Sequence, residues 1–463
     1  MASVGSLTDV TGSAPDRRTS PETYITLDTL LAKNKDFVIP ELVQTYGEQG
    51  ITGFLKLTGA INGAATNDQI DWWEAGRRHK TLAYASGTSV LSEEINIPEA
   101  DLSDGNSVAT SMLEQYDVVM DQGTGVRLIV KDFGVTQAGD YTLVRLDGAA
   151  CASTNEVDTG AGGNLIVLGN MYAQGTDQPT IFNEVDAVKY TNPFAIVKGR
   201  HEVSGSQATN IGWVDTGGGE YRWFMYAEAE ARRRFEDQRE MTLLFGEKNG
   251  GDNKASIAHG GSEGYFSAVE DRGINITGGA FTAMSEVDDL IKQFDKQGAP
   301  AEYAMYLNRT QDLAIDDLLA SGVATQVTAG LPGQFGAFNN DSDMAVKLGF
   351  KSFTRGGYTF HKHDWKLLND PTLIGSAATP KYQGAIVPLS QVTDPRTGNK
   401  APSLAMYYKA AGGYSREMEH WVTGGGMMGF TNGDTGTDQM VYHYRSEVAL
   451  CVRAANQHAI LKA

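Results

Sequence analysis

The chain has 463 residues, 41% hydrophobic and 21% charged, an ordinary globular composition with length for roughly two to four domains. A formal net charge of −19 argues against a nucleic-acid binder, which would show a basic face, and suits a protein that must stay soluble at high concentration. Cys151 and Cys451 stand far apart, which excludes a disulfide framework and paired metal-ligand spacing.

The opening "MASVGSLTDVTGSAPDRRTSPETY" is small and polar and reads as an extended arm without the apolar stretch of a signal peptide. No apolar run approaches the ~18 residues of a membrane helix, so a soluble protein made in the cytoplasm is expected. "TLDTLLAKNKDFVIPELVQTYGEQG" offers short helical pieces. "IDWWEAGRRHKTLAYASG" then sets two tryptophans against a basic cluster and is followed by an acidic stretch, "EEINIPEADLSDGNS".

From Tyr116 to Asp147 the apolar period becomes two. Val126, Leu128 and Val130 share one face, and Tyr141 and Leu143 form a second strand after a turn, as in a small domain of hairpins. "NLIVLGNMYAQGTDQ" adds another strand. "YTNPFAIVKGRHEVSGS" predicts one long strand, with Phe194 and Ile196 on one face and Ala195 and Val197 on the other.

A charged helix is predicted from Tyr221 to Phe245, ~37 Å long. Its apolar stripe is narrow: Phe224, Ala227, Ala231, Phe235 and Leu244/Phe245. Glu228–Arg232, Glu230–Arg234, Arg232–Glu236 and Arg233–Asp237 stand four apart, each pair contributing ~0.2–0.5 kcal/mol when exposed. Such a helix lies along a sheet on one side and meets solvent or neighbouring subunits on the other.

"SEVDDLIKQFDKQGAP" predicts a helix with Ser285 as N-cap, an apolar face of Val287, Leu290, Ile291 and Phe294, and a stop at Gly298 and Pro300. "AEYAMYLN" reads as a strand and "RTQDLAIDDLLASG" as a helix with Thr310 as a possible cap, which gives an α/β unit. Strands and loops follow, ending in "YHYRSEVALCVRAANQHAILK".

Motifs for chemistry are weak. Gly424, Gly426 and Gly429 match G-x-G-x-x-G but lack the strand–helix context of a dinucleotide site. His361 and His363 in "FHKHDW" share a strand face and could hold a metal only with a third ligand, while Asp364 points to the opposite face. Asp341 and Asp343 lack the glycine and terminal glutamate of a calcium loop. No catalytic residue, cofactor site or metal site is assigned, and an enzyme is not expected.

The order of parts, above all "YTNPFAIVKGRHEVSGSQA" running into "EYRWFMYAEAEARRRFEDQREMTLLFGE", resembles the major capsid protein of tailed bacteriophages, the Hong Kong 97-type fold. Size and glycine-rich loops resemble crAss-like or related podovirus-type phages within that group. The resemblance implies an α+β fold. Its parts would be an N-terminal arm (1–51), the first part of an extended E-loop (52–111), an inserted small β-domain (112–185) and an E-loop return strand (186–210). A P-domain with a long spine helix (211–272), an α/β A-domain with P-domain strands (273–440) and a closing strand (441–463) would follow.

It further implies copies of the chain assembled as hexamers and pentamers of an icosahedral head around double-stranded DNA. A separate scaffolding protein, a portal and auxiliary head proteins would be partners, with no sequence-specific DNA binding and no membrane. The expected location is the virion. Expected assembly contacts are Trp72, Trp73, Arg77, Arg78, Lys80, Arg232, Arg233, Arg234 and Phe235. Some relatives cross-link an E-loop lysine to an asparagine; Lys80 and Asn456 are conceivable, though nothing local supports that chemistry. A cellular nanocompartment shell of the same fold is the alternative, and a metal-dependent enzyme using His361 and His363 a more distant one.

Overall fold

The computed structural model describes residues 61–64, 68–77, 81–84, 89–91, 94–98, 102–103, 113–133, 140–149, 163–178, 187–208, 223–248, 261–278, 281–328, 352–370, 380–393, 398, 400–424 and 437–463. The chain divides into two compact units, Asp71–Tyr190 and the remainder. The expected N-terminal arm (1–51), Gly426, Gly429, Asp341 and Asp343 lie outside the described residues.

After β1 (Ile61–Ala64), the chain leaves the larger unit along β2 (Gln69–Ala75), which pairs with a later return strand. The smaller unit is then built from β3 (Thr81–Tyr84), β4 (Ser89–Leu91), β5 (Glu94–Pro98), β6 (Leu102–Ser103), β7 (Asp117–Asp121), β8 (Arg127–Phe133), β9 (Asp140–Arg145) and β10 (Gly163–Asn170). These form one eight-stranded sheet in the order β4-β5-β9-β8-β7-β10-β3-β6. Alternation sends Leu82, Ile95, Ile97, Val119, Leu128, Val130, Tyr141, Leu143 and Leu165 into a single core. The boundary expected at residue 112 falls inside this unit, because β3 to β6 belong to the same sheet as β7 to β10.

The return path is not the single strand expected. β11 (Ala187–Pro193) and β12 (Ala195–Ser204) are separated at Phe194, whose N–H donates to the Asp68 carbonyl at 3.1 Å. The break resets the faces: Phe194 is buried and Ile196 is exposed. Asn192 fixes the junction. Its Nδ2 donates to the carbonyls of Leu450 (2.7 Å) and Glu263 (3.0 Å), and its Oδ1 accepts from Glu263 N (2.8 Å) and Ser262 Oγ (3.2 Å).

Next come α1 (Trp223–Phe245), α2 (Tyr265–Arg272), β13 (Ile274–Thr277), α3 (Met284–Lys296), β14 (Glu302–Leu307) and α4 (Arg309–Thr328). The helix–strand–helix unit is where it was expected, but both caps move. Helix α3 starts two residues early, with Ala283 at the N-cap position, and the Glu286 carboxylate accepts the N–H groups of Thr282 and Ala283, so Ser285 lies inside the first turn. Ahead of α4, Asn308 Oδ1 accepts Gln311 N–H at 2.9 Å, which makes Asn308 the cap in place of Thr310. Gly298, at φ 62, ends α3.

The remaining strands are β15 (Ser352–Arg355), β16 (Tyr358–Asp364), β17 (Tyr382–Pro388), β18 (Gln391–Thr393), β19 (Lys400–Pro402), β20 (Leu404–Ala411), β21 (Tyr414–Ser415), β22 (Glu419–Gly424), β23 (Gln439–Val452) and β24 (Ala459–Lys462). One six-stranded sheet runs β13-β24-β17-β14-β16-β15, with Phe294 of α3 and Ile315 of α4 in its core. The other has the path β1-β20-β23-β12, with β21 on β20 and β22 on β23. The expected closing strand is two strands in two sheets. Ala454, at φ 50, and a 3₁₀ turn at Ala455–Gln457 carry the chain from β23 to β24.

Candidate assembly surface

The β12–β23 ladder is the base of the candidate surface. Ten residue pairs run antiparallel from Ala195–Val448 to Ser204–Gln439. Alternation puts Gly199 and Tyr444 on one face and Arg200 and His443 on the other. Helix α1 covers the first face. Phe235 is 2% exposed and stacks on Tyr444 with ring centroids 5.7 Å apart. Leu243 and Leu244 extend the contact into the core beside α2, and Phe245 stacks on Phe266 at 5.0 Å.

The expected stripe is present at Phe235 and Leu244, with Ala227 and Ala231 half-buried; the Phe224 side chain lies outside the described residues. Sequence reasoning missed two charged members, Arg239 and Glu240, both buried. Arg239 falls in line with Phe235 and Leu243 at i, i+4 and i+8, a row on which a charged side chain is not expected to be buried. Arg239 reaches the Glu417 carbonyl from this position at 3.4 Å.

Arg232, Arg233 and Arg234 are exposed on the outer flank. The expected pairs Arg232–Glu236 and Arg234–Glu230 form there, at 3.3 Å and 3.8 Å. Glu228 turns inward, where it accepts a hydrogen bond from Tyr444 Oη at 2.6 Å. Arg232 is engaged by Glu236 instead.

The opposite face of the ladder carries Ile196, Lys198, Arg200, Glu202 and Ser204, all exposed. Across it, Trp421 stacks on His443 (5.1 Å) with the Arg445 guanidinium 5.1 Å from its ring. Beside them Glu447 is buried, accepts from Arg416, and sits 3.3 Å from Lys409 Nζ. Trp421 was not singled out from sequence, since a lone tryptophan in a short strand carries no pattern.

The two tryptophans of the smaller unit separate. Trp72 is 7% exposed, lies 5.9 Å from Tyr190 and donates its Nε1–H to Glu74 at 2.8 Å, so its own chain covers it. Trp73 is 65% exposed, with Lys189 Nζ 6.0 Å from its ring. Arg77 is exposed, while Arg78 and Lys80 lie outside the described residues. Asn456 Nδ2 donates to Gln297 Oε1 at 3.2 Å.

His361 and His363 do share a face of β16. His361 lies 3.7 Å from Glu302, and His363 stacks on Tyr306 at 5.4 Å. Asp364 pairs with Arg309 at 2.5 Å, and no group of three or more metal-ligating side chains occurs among the described residues. Burial lowers the His363 pKa, and neighbouring His361 lowers it further. No helix among the described residues is long and apolar enough to cross a membrane.

No family model and no curated protein matches the chain. Among solved structures, it is similar to the capsid of cyanophage P-SCSP1u, with 9% identity, a TM-score of 0.41, and coverage of 97% of this chain and 99% of that one. A structure from Gordonia phage Cozz gives 10% identity and a TM-score of 0.40 over 97% of this chain and 96% of the other. The holo-SrpI encapsulin complex of Synechococcus elongatus gives 12% identity and a TM-score of 0.32 over 60% and 77%.

Proposed function

We propose that the chain is a shell subunit, the major capsid protein of a tailed phage, and that copies of it form hexamers and pentamers of an icosahedral head around double-stranded DNA. One observation carries the reading. A return strand, β12, lies antiparallel on the fourteen-residue β23 and is followed by a 23-residue charged helix seated on the same ladder. That is the strand-then-spine order the sequence resemblance implies.

In this reading α1 is the spine of the P-domain and β13 to β17 with β24 belong to the A-domain. Residues 1–51 are the N-terminal arm, and the unit Asp71–Tyr190 is the E-loop with its inserted β-domain. Trp73, Arg77 and the flank Arg232–Arg234 meet neighbouring copies, and Arg78 and Lys80 join them. A scaffolding protein, a portal and auxiliary head proteins complete the particle. The net charge of −19 lets packed DNA slide along the wall without adhering.

Electron microscopy of the expressed protein, alone and with the products of neighbouring genes, tests the proposal. Closed shells of uniform size are expected. A chain that stays monomeric in every condition overturns it, and shells filled with a protein cargo and no DNA would reassign it to a nanocompartment.

A further inference from the structure

Strand β16 carries a lysine where its pattern calls for an apolar side chain. Tyr358, Phe360 and Lys362 alternate onto one face of the strand, and Phe360 is buried in the core that α3 and α4 cover. Lys362 stands beside buried Met305 in the parallel register with β14, and its own side chain is only 5% exposed. An ammonium in such a place is tolerable only with anions against it. Two aspartates of α4 meet it. Asp312 and Asp316 are four residues apart, so both present their carboxylates on the same side of the helix. Lys362 Nζ lies 2.5 Å from Asp316 Oδ1 and 3.0 Å from Asp312 Oδ1, and donates to the Asp312 carbonyl at 3.3 Å.

The two carboxylates are held differently. Asp312 is gripped on its second oxygen by Arg309 at 3.1 Å, and Arg309 is anchored in turn by Asp364 at 2.5 Å. Asp316 has Lys362 as its partner among the described residues. An amine and two carboxylates, enclosed and oriented in this way, are the parts that amide formation requires. One is a nucleophile, one an acyl group, and one a carboxylate that moves the proton between them. Holding the reacting groups together replaces an encounter in solution by an effective concentration of about 10⁵–10⁸ M. Condensation also turns two ions in a dry site into one neutral amide, which removes the desolvation cost of both.

We propose that Lys362 and Asp316 form an isopeptide bond within the chain, with Asp312 as the proton relay. Lys362 Nζ passes one proton to Asp312 Oδ1 and attacks Asp316 Cγ. A Cγ–O bond of Asp316 breaks, and its oxygen leaves as water with the relayed proton and a second one from the nitrogen. The third stays on the amide. One ammonium and one carboxylate thus give one amide and one water, with no oxidant and no co-reactant. The bond ties α4 to β16 across the helix–sheet contact, and the proposal does not depend on shell assembly.

Mass spectrometry of the intact, full chain under denaturing conditions tests it. The wild-type chain should weigh one water molecule less than its sequence, and digestion should release a branched peptide joining Lys362 to Asp316. Lys362→Arg and Asp316→Ala should each restore the full mass. Asp312→Asn keeps the shape of the relay without its basicity, and should slow the appearance of the bond by roughly 10²-fold or more. The full sequence mass in the wild-type chain overturns the proposal whatever the variants do. A water loss that Lys362→Arg retains overturns it too, since it would mark a dehydrated aspartate elsewhere. An unchanged rate in Asp312→Asn would overturn the relay.

Discussion

Phe235 rests its ring against the bare Cα of Gly199: a Cβ built on that glycine would lie 2.8 Å from Phe235 Cδ2. Helix and strand therefore meet at the van der Waals limit, at the one place where β12 has no side chain to offer. Two substitutions should report on the contact from opposite sides. Gly199→Val overpacks it and should cost about 1–3 kcal/mol. Phe235→Ala empties it and should cost about 3–5 kcal/mol. Phe235→Asp would replace the ring that stacks on Tyr444 with a buried carboxylate, and is expected to abolish shell assembly. Chemical denaturation measures the first two, and micrographs the third. Normal shells from Phe235→Asp would mean that the helix does not do what is assigned to it.

Neighbouring tryptophans should behave unlike each other. Trp72 is enclosed by Tyr190 and bonded to Glu74, so Trp72→Ala should lower stability by about 3–5 kcal/mol. Trp73 faces water, so Trp73→Ala should leave the melting temperature within about one degree while reducing assembly. A folded, assembling Trp73→Ala protein would remove Trp73 from the contacts between copies.

The contrast shows where sequence stops being informative. Alternation in β8 and β9 and the 3.6-residue spacing of α3 were legible, because each element satisfies a local pattern: Leu128 and Val130, or Val287, Leu290 and Phe294, face one core. Long-range bonds were not legible. Asn192 breaks the predicted long strand through partners 70 and more positions away, and Ala454 splits the closing strand by a single left-handed residue. Cap residues moved for the same reason at shorter range, since Asn308 and Glu286 outcompeted the candidates Thr310 and Ser285. On the charged helix, Phe235 was visible as an apolar point on a narrow stripe, and it is buried against Tyr444 of its own chain. Arg239 was not, because a buried arginine is legible only once its acceptor at Glu417 is known.

Asn192 should be among the costliest polar residues to replace. Its amide serves four backbone and side-chain partners at 2.7 to 3.2 Å and is fully buried. Asn192→Leu leaves two carbonyls, one N–H and one hydroxyl without that partner, each orphan costing about 1–3 kcal/mol where water cannot enter. Asn192→Asp keeps the acceptor but aims a carboxylate at the Leu450 and Glu263 carbonyls, and should be no better. Urea unfolding should show a lowered midpoint with an unchanged slope for both. A midpoint within experimental error of the wild type would show that the junction is held by the ladder alone.

The last prediction concerns acid. His458 is completely buried, with Tyr265 Oη 3.3 Å from Nδ1 and, among the described residues, no hydrogen-bond partner at Nε2. Burial, reinforced by the charge of Arg272, pushes its imidazole pKa down to about 3. The folded state thus resists a proton that the unfolded chain accepts near pH 6.5. Stability from this group is complete above that value, and falls by about 1.4 kcal/mol per pH unit as the pH drops from 6.5 towards 3. Glu270 adds a second loss lower down. Lys462, Lys381 and Tyr382 hold its carboxyl near about 2, so its contribution fades only below the ordinary glutamate range. His458→Gln, which keeps a polar group for Tyr265, should flatten the pH dependence between 6.5 and 4.5 and leave the lower branch in place. Equal slopes for the two proteins in that upper window would mean that His458 takes up its proton without unfolding.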